Sequence, residues 1–159
     1  MLADLRSDTI TRPTPEMYAA NASASLGDDV LGDDPTVHRL EELAAQKTGT
    51  EAGLFVPSGT MGNQIAIATH TRPGDSILVE DEAHLFYYEA AAPAVVSGVV
   101  VRSIQSINGV IEPMDIERRF MRRDEHTPGS TLLCIENTHN RCGGAVTPVG
   151  HHREYRRIA

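Results

Sequence analysis

Basic residues are in deficit: 14 lysines and arginines stand against 22 aspartates and glutamates, a formal net charge of −8. That balance argues against nucleic acid or an anionic membrane as the main partner. Cysteine is nearly absent. Cys134 falls in an apolar run and Cys142 in a glycine-rich loop, so no disulfide framework is expected; two reduced thiols suit a cytoplasmic protein. The first ten residues, MLADLRSDTI, lack the apolar core of a secretory signal. The longest apolar stretch, residues 90–101, is interrupted by Pro93, Ser97 and Gly98 and is too short to span a bilayer. What remains is 159 residues with 40% hydrophobic side chains, enough for one domain with a core or for part of a larger one.

The stretch from Gly53 to Asn63, G-L-F-V-P-S-G-T-M-G-N, carries the densest local signal. Leu54, Phe55 and Val56 predict a short buried strand, closed by Pro57, which has no ladder donor. Ser58, Gly59 and Thr60 then offer a capping hydroxyl, a permissive backbone and a second hydroxyl. Met61, Ile65 and Ala68 recur on one face of a helix expected over residues 60–70. The first amides of such a helix lack intrahelical partners and lie at the positive end of its dipole, which suits a phosphate. An ordinary capped helix explains the same residues, so the motif alone leaves both readings open.

Elsewhere, residues 1–15 read as an extended arm ending in the Pro13-Thr14-Pro15 turn, and residues 17–24 as a small helix. The loop G-D-D-V-L-G-D-D-P-T gathers Asp28, Asp29, Asp33 and Asp34 but lacks the spacing and closing glutamate of an EF-hand. It is expected to be a hydrogen-bonded loop, with Asp34 or Thr36 capping a helix that carries Val37, Leu40, Leu43 and Ala44 and ends near Lys47 and Gly49. From residue 54 onward, expected strands at 54–56, 77–80, 95–101 and 131–136 alternate with expected helices at 60–70, 85–92, 114–123 and 151–159. This alternation predicts an α/β fold, a mainly parallel sheet with helices on both faces in three αβα layers. The domain expectation is residues 1–50 as arm and helices and residues 51–159 as the first part of the sheet. Ending inside a basic helix with no closing strand, the chain reads as truncated.

Parallel sheets bind ligands at the carboxyl ends of their strands. Three expected strand ends carry polar loops here: Pro57 to Thr60, Asp81 to His84, and Glu136 to Asn140. Their convergence on one edge points to a site. A zinc site from His139, Cys142, His151 and His152 fits no known finger spacing, so no metal is expected. The arginines at 118, 119, 122 and 123 and at 153, 156 and 157 read as solvated helix faces, and His126 by itself as an exposed loop residue.

Five pieces together resemble low-specificity threonine aldolases of the beta-eliminating lyase family: D-L-R-S-D-T-I-T-R-P, G-D-D-V-L-G-D-D-P-T, F-V-P-S-G-T-M-G-N, H-x4-E at His84 to Glu89, and E-N-T-H-N-x2-G-G at Glu136 to Gly144. They stand in the family's order and cover nearly the whole chain. The resemblance implies the large domain of a fold-type I pyridoxal 5'-phosphate (PLP) enzyme that cleaves threonine or allo-threonine, a small β-hydroxy amino acid, to glycine and acetaldehyde. It implies that Gly59, Thr60 and Met61 hold the cofactor phosphate and that His84 stacks on the pyridine ring. It further implies that Ser7 helps bind the substrate carboxylate, that His126 approaches the substrate hydroxyl, and that Glu89 orients His84 or a water. A homodimer or homotetramer is implied for the full-length protein.

The chain departs from the family pattern at Leu31, where a tyrosine is usual, and at Ala91 and Ala92, where glycines are usual. It also holds a single lysine, Lys47, placed at a helix end. A cofactor bonded covalently needs a lysine in the site, so these residues are expected to supply half a site and to be inactive alone. Another beta-eliminating lyase, or a non-catalytic assembly subunit, are the alternative readings. Treating the 159-residue chain with PLP and borohydride should therefore give no specific lysine adduct accompanied by aldol cleavage; mass spectrometry and an acetaldehyde assay check both halves of that outcome.

Overall fold

The computed structural model describes Asp4 and residues 8–159. The chain divides into two compact units, one up to Phe55 and one from Val56 to Ala159.

The first unit holds helices α1 (Pro15–Ala22) and α2 (Pro35–Thr48). Each begins with a proline at its first turn, where the missing N–H costs nothing, behind a capping side chain: Thr14 for α1 and Asp34 for α2. Gly49, in the left-handed region at φ 69°, ends α2. The acidic loop satisfies itself as expected. Asp34 accepts from the amides of Gly27, Thr36 and Val37, and Asp28 from that of Val30.

The second unit is built on three parallel strands, β1 (Ser76–Glu80), β2 (Val100–Ile104) and β3 (Ser130–Cys134), in the order β2-β1-β3. Every residue of central β1 is buried. Its side chains alternate between two cores, as strand geometry requires. Ile77 and Val79 pack with Ile67, Ala83 and Val99 on one face, while Leu78 packs with Ile104, Ile111, Ile116 and Tyr155 on the other. The helices divide accordingly. α3 (Gly59–His70) and α5 (Ala92–Ser97) cover the first face, and α6 (Pro113–Arg119) and α7 (Val149–Ile158) cover the second. Short α4 (His84–Tyr87) follows β1. This is the three-layer α/β arrangement expected from the alternation of elements.

Several expected boundaries move. Residues 54–56 form no strand: Leu54 and Phe55 are 70% and 49% exposed, and the Phe55 amide donates to Glu41 Oε1 at 2.7 Å instead of to a neighbouring strand. The helix expected over 85–92 breaks into α4 and α5, because a new helix begins at Ala92 with Pro93 in its first turn, and Ala90 and Ala91, just before that helix, turn the chain at φ 51° and 59°. The same proline, with Gly98 as the left-handed stop at φ 64°, draws Val95 to Ser97 into α5, so β2 begins at Val100 rather than Val95. α6 ends at Arg119, short of 123, as the chain turns extended at Phe120 to meet Ser130: the Ser130 amide donates to the Met121 carbonyl at 2.8 Å.

Ala91 carries a Cβ in a left-handed conformation, at one of the two positions where the resembled family has glycine. Its Cβ crowds the adjoining backbone there. Ala91→Gly should therefore stabilise the fold by about 0.5–1 kcal/mol, the relief of strain exceeding the added backbone entropy, and raise the thermal midpoint measured by circular dichroism.

Candidate functional site

The two cores leave polar groups only at the ends of β1, and the carboxyl end collects most of them. Glu80 closes β1, Asp81 to Ala83 turn the chain, and His84 opens α4. Beside them lie Ser106, just past β2, and the Glu136 to Asn140 loop, just past β3.

Three buried or half-buried carboxylates organise this edge. Glu136 accepts from the amides of His84, at 2.5 Å, and Asn140, at 2.7 Å, tying the loop after β3 to the start of α4. Glu80 accepts from Ser106 Oγ at 2.6 Å, the Glu82 amide at 2.8 Å and His139 Nε2 at 2.8 Å. Burial works to raise the Glu80 pKa, but the hydrogen bonds from Ser106, His139 and Glu82 outweigh it and hold the group below the usual carboxylate range. Neighbouring Asp81 is pushed up by its burial and by adjacency to Glu80. His139 is only 1% exposed and packs so tightly under Gly109 that a Cβ there would come within 2.5 Å of the imidazole. It is a buried structural partner, and no group of three metal-ligating side chains occurs among the described residues.

The third carboxylate, Glu89, is the one that engages an accessible ring. Its Oε1 accepts from Asn63 Nδ2 at 2.7 Å and from His84 Nδ1 at 3.0 Å, and its Oε2 from Gln64 Nε2 at 2.7 Å. The Glu89 side chain is fully buried, whereas that of His84 is 43% exposed. Burial, and secondly the Glu89 carboxylate, push the nearby Cys134 thiol up to about 12, so it stays an unreactive neutral group. Arg141 borders the site by pairing with Glu82, donating to the Tyr88 hydroxyl at 2.7 Å and stacking 4.0 Å from the Tyr87 ring centre. Tyr88 in turn lies against His84, their ring centres 5.4 Å apart.

The amino end of α3 completes the arrangement. Ser58 caps it, accepting from the Met61 amide at 3.1 Å, and the ladder starts with Gly62 donating to the Ser58 carbonyl. The Met61 amide is therefore engaged by the cap. Gly59 and Thr60 retain theirs among the described residues, with open space where a Gly59 Cβ would sit. Free amides, an adjacent hydroxyl and the dipole of a twelve-residue helix give this end a positive character that suits an anion.

His126 is not brought to this cluster. It lies in the exposed loop before β3, and its surroundings, Gly74, Arg123 and Pro128, line a cleft of about 380 Å³ at the amino ends of the strands. A five-residue strand, roughly 15 Å long, separates it from the edge that carries His84. Ser7 lies outside the described residues. Conversely, Asn63 and Gln64 went unassigned in the sequence although a signal existed: Gln64 sits three residues before the buried Ile67, a polar side chain on the core-facing side of a helix. Ser106 and the Arg141 contacts carried no such signal, since they depend on pairings across 26 and 53 or more residues.

The edge of this parallel α/β sheet thus sets a capped helix start beside an imidazole held by a buried carboxylate. The beta-eliminating lyase family matches residues 4–159, and the chain belongs to it. It is 43% identical over 150 residues to a probable low-specificity L-threonine aldolase 2 of Arabidopsis thaliana, covering 92% of this chain and 42% of that one. It is 39% identical over 155 residues to the low specificity L-threonine aldolase of Escherichia coli K12, covering 97% and 44%. The fold matches a solved threonine aldolase of Leishmania major with a TM-score of 0.65 at 24% identity, over 78% of this chain and 36% of that one. The chain thus spans less than half the length of these relatives. No helix among the described residues is long and apolar enough to cross a membrane.

Glu80 gives the edge an acid sensitivity whose sign follows from its lowered pKa. The stability it contributes is complete above the unfolded value, near 4.5, and is lost as pH falls through the lower folded value. Ser106→Ala removes one donor to this carboxylate and should cost about 1.5–3 kcal/mol near neutral pH. Urea unfolding followed from neutral pH downward should show the gap between wild type and variant shrinking below pH 4.5.

Proposed function

We propose that the protein carrying this chain is a PLP-dependent aldehyde-lyase that cleaves L-threonine and L-allo-threonine to glycine and acetaldehyde. The observation that carries the proposal is the His84 imidazole, held by a buried carboxylate at the strand edge where α3 begins. The names of the Arabidopsis and E. coli relatives support it.

The residues present fit two parts of the cofactor. Gly59 and Thr60 supply amides, and Thr60 a hydroxyl, for its phosphate; His84 supplies a flat ring for its pyridine. When bound, the cofactor's ring provides the sink for the electron pair released as the Cα–Cβ bond breaks. The chain's own contribution is orientation and proton handling. Glu89 fixes the plane of His84 through Nδ1. With that nitrogen engaged, Nε2 is the atom available to accept the β-hydroxyl proton, and histidine is suited to do so near neutral pH. Lys47 lies exposed in the last turn of α2 and takes no part. The same reading carries a cytoplasmic homo-oligomer acting on a small β-hydroxy amino acid.

The test is acetaldehyde release from L-allo-threonine and L-threonine by the protein that contains these residues, supplied with PLP and coupled to NADH oxidation. His84→Ala should lower kcat by about 100-fold or more. Release of pyruvate and ammonia from serine, with no acetaldehyde from either threonine, would instead assign a β-elimination and refute the aldolase.

A further inference from the structure

The Glu89 carboxylate is surrounded by groups of unequal freedom. Asn63 Nδ2 and Gln64 Nε2 are amide nitrogens, which only donate. They come from consecutive residues in the second turn of α3, and both reach the same carboxylate at 2.7 Å. Gln64 is 8% exposed, so its contact is made away from water. The His84 ring nitrogen, at 3.0 Å, is the one partner of Glu89 whose role is open, since Nδ1 can carry a proton or a lone pair.

We infer that Asn63, Gln64 and Glu89 form a clamp that fixes the tautomer of His84, with the proton on Nδ1 and the lone pair on Nε2. Two fixed amide donors hold Glu89 as an acceptor, and an acceptor requires N–H from the imidazole. Without the amides, the imidazole is the one side chain left to hold the Glu89 carboxylate, which is then free to turn away from Nδ1. An imidazole that loses this acceptor reverts toward the Nε2–H form preferred by free histidine, placing the proton on the nitrogen free to face a ligand. Asn63 and Gln64 are thus positioning residues, acting on His84 through Glu89. Because they sit on the helix whose first amides are free, the anion seat and the imidazole are linked by one rigid turn of α3. The clamp is a property of the folded chain; its catalytic meaning rests on the function proposed above.

Long-range proton–nitrogen NMR of the imidazoles in the cofactor-free 159-residue chain tests the clamp directly. His84 in the wild type should appear as the Nδ1–H tautomer. Gln64→Met with Asn63→Leu, which keep volume and remove both donors, should move it toward the Nε2–H form, and so should Glu89→Leu, which removes the acceptor itself. A wild-type His84 with its proton on Nε2, or a folded variant of either kind with the tautomer unchanged, overturns the inference. In the PLP-loaded protein, Glu89→Leu should lower kcat by up to about 100-fold, as a misplaced catalytic group does, with a smaller change in KM. The spectra need neither cofactor nor turnover, so an inactive wild type would count against the proposed lyase while leaving the clamp to be judged on its own.

Discussion

Burying β1 on both faces is the constraint from which the second unit follows. A strand sealed between two cores has no lateral outlet for polar side chains, so they must gather at its ends. At the amino end, Asp75 pairs with Arg123 and accepts from the Arg72 amide, fastening the strand to the loop before β3. At the carboxyl end, Glu80 collects Ser106 from beyond β2 and His139 from beyond β3. One carboxylate thereby ties together the loops following all three strands. The cost of removing it from water is offset by three donors, which is the condition for a buried charge to be tolerated.

Division of labour among the carboxylates follows from depth. Glu80 is buried with a buried histidine and braces the edge. Glu136 addresses backbone amides and sets where α4 starts relative to the loop after β3. Glu89 alone joins a buried oxygen pair to a ring open to solvent. It can do so because the chain breaks at Ala90 and Ala91; an unbroken helix from residue 85 to 92 would leave no turn at this point. The strained alanines therefore belong to the same local arrangement as the site. Backbone strain of this kind persists where surrounding structure holds it in place, and here Pro93 and the buried Glu89 do so on either side.

Much of this was legible beforehand, and the reasons differ from residue to residue. The α3 cap was readable because Ser58, Gly59 and Thr60 act within their own turn. The acidic loop was readable because its carboxylates bond amides two to seven residues away. The resemblance implied that Glu89 orients His84 or a water, and the two side chains meet at 3.0 Å. Residues 54–56 misled because an apolar run reads as a strand whether or not a partner lies alongside it, and pairing is not a local property. His126 precedes β3 and the E-N-T-H-N motif follows it, so the strand itself sets the two at opposite edges.

The sequence by itself determined what depends on neighbours along the chain: helix caps and stops, the alternation that makes a parallel α/β sheet, and membership of the beta-eliminating lyases through motifs in order. Only the tertiary structure decided which of the polar residues share a site. Ser106 meets Glu80 across 26 residues, and His139 meets it across 59, because parallel strands bring together ends that the chain reaches only after a crossover. The same geometry sends Glu89 back to Asn63 and Gln64 and excludes His126. Local rules act over a turn or two, whereas a polar edge of this kind is assembled by strand direction, which no short segment carries.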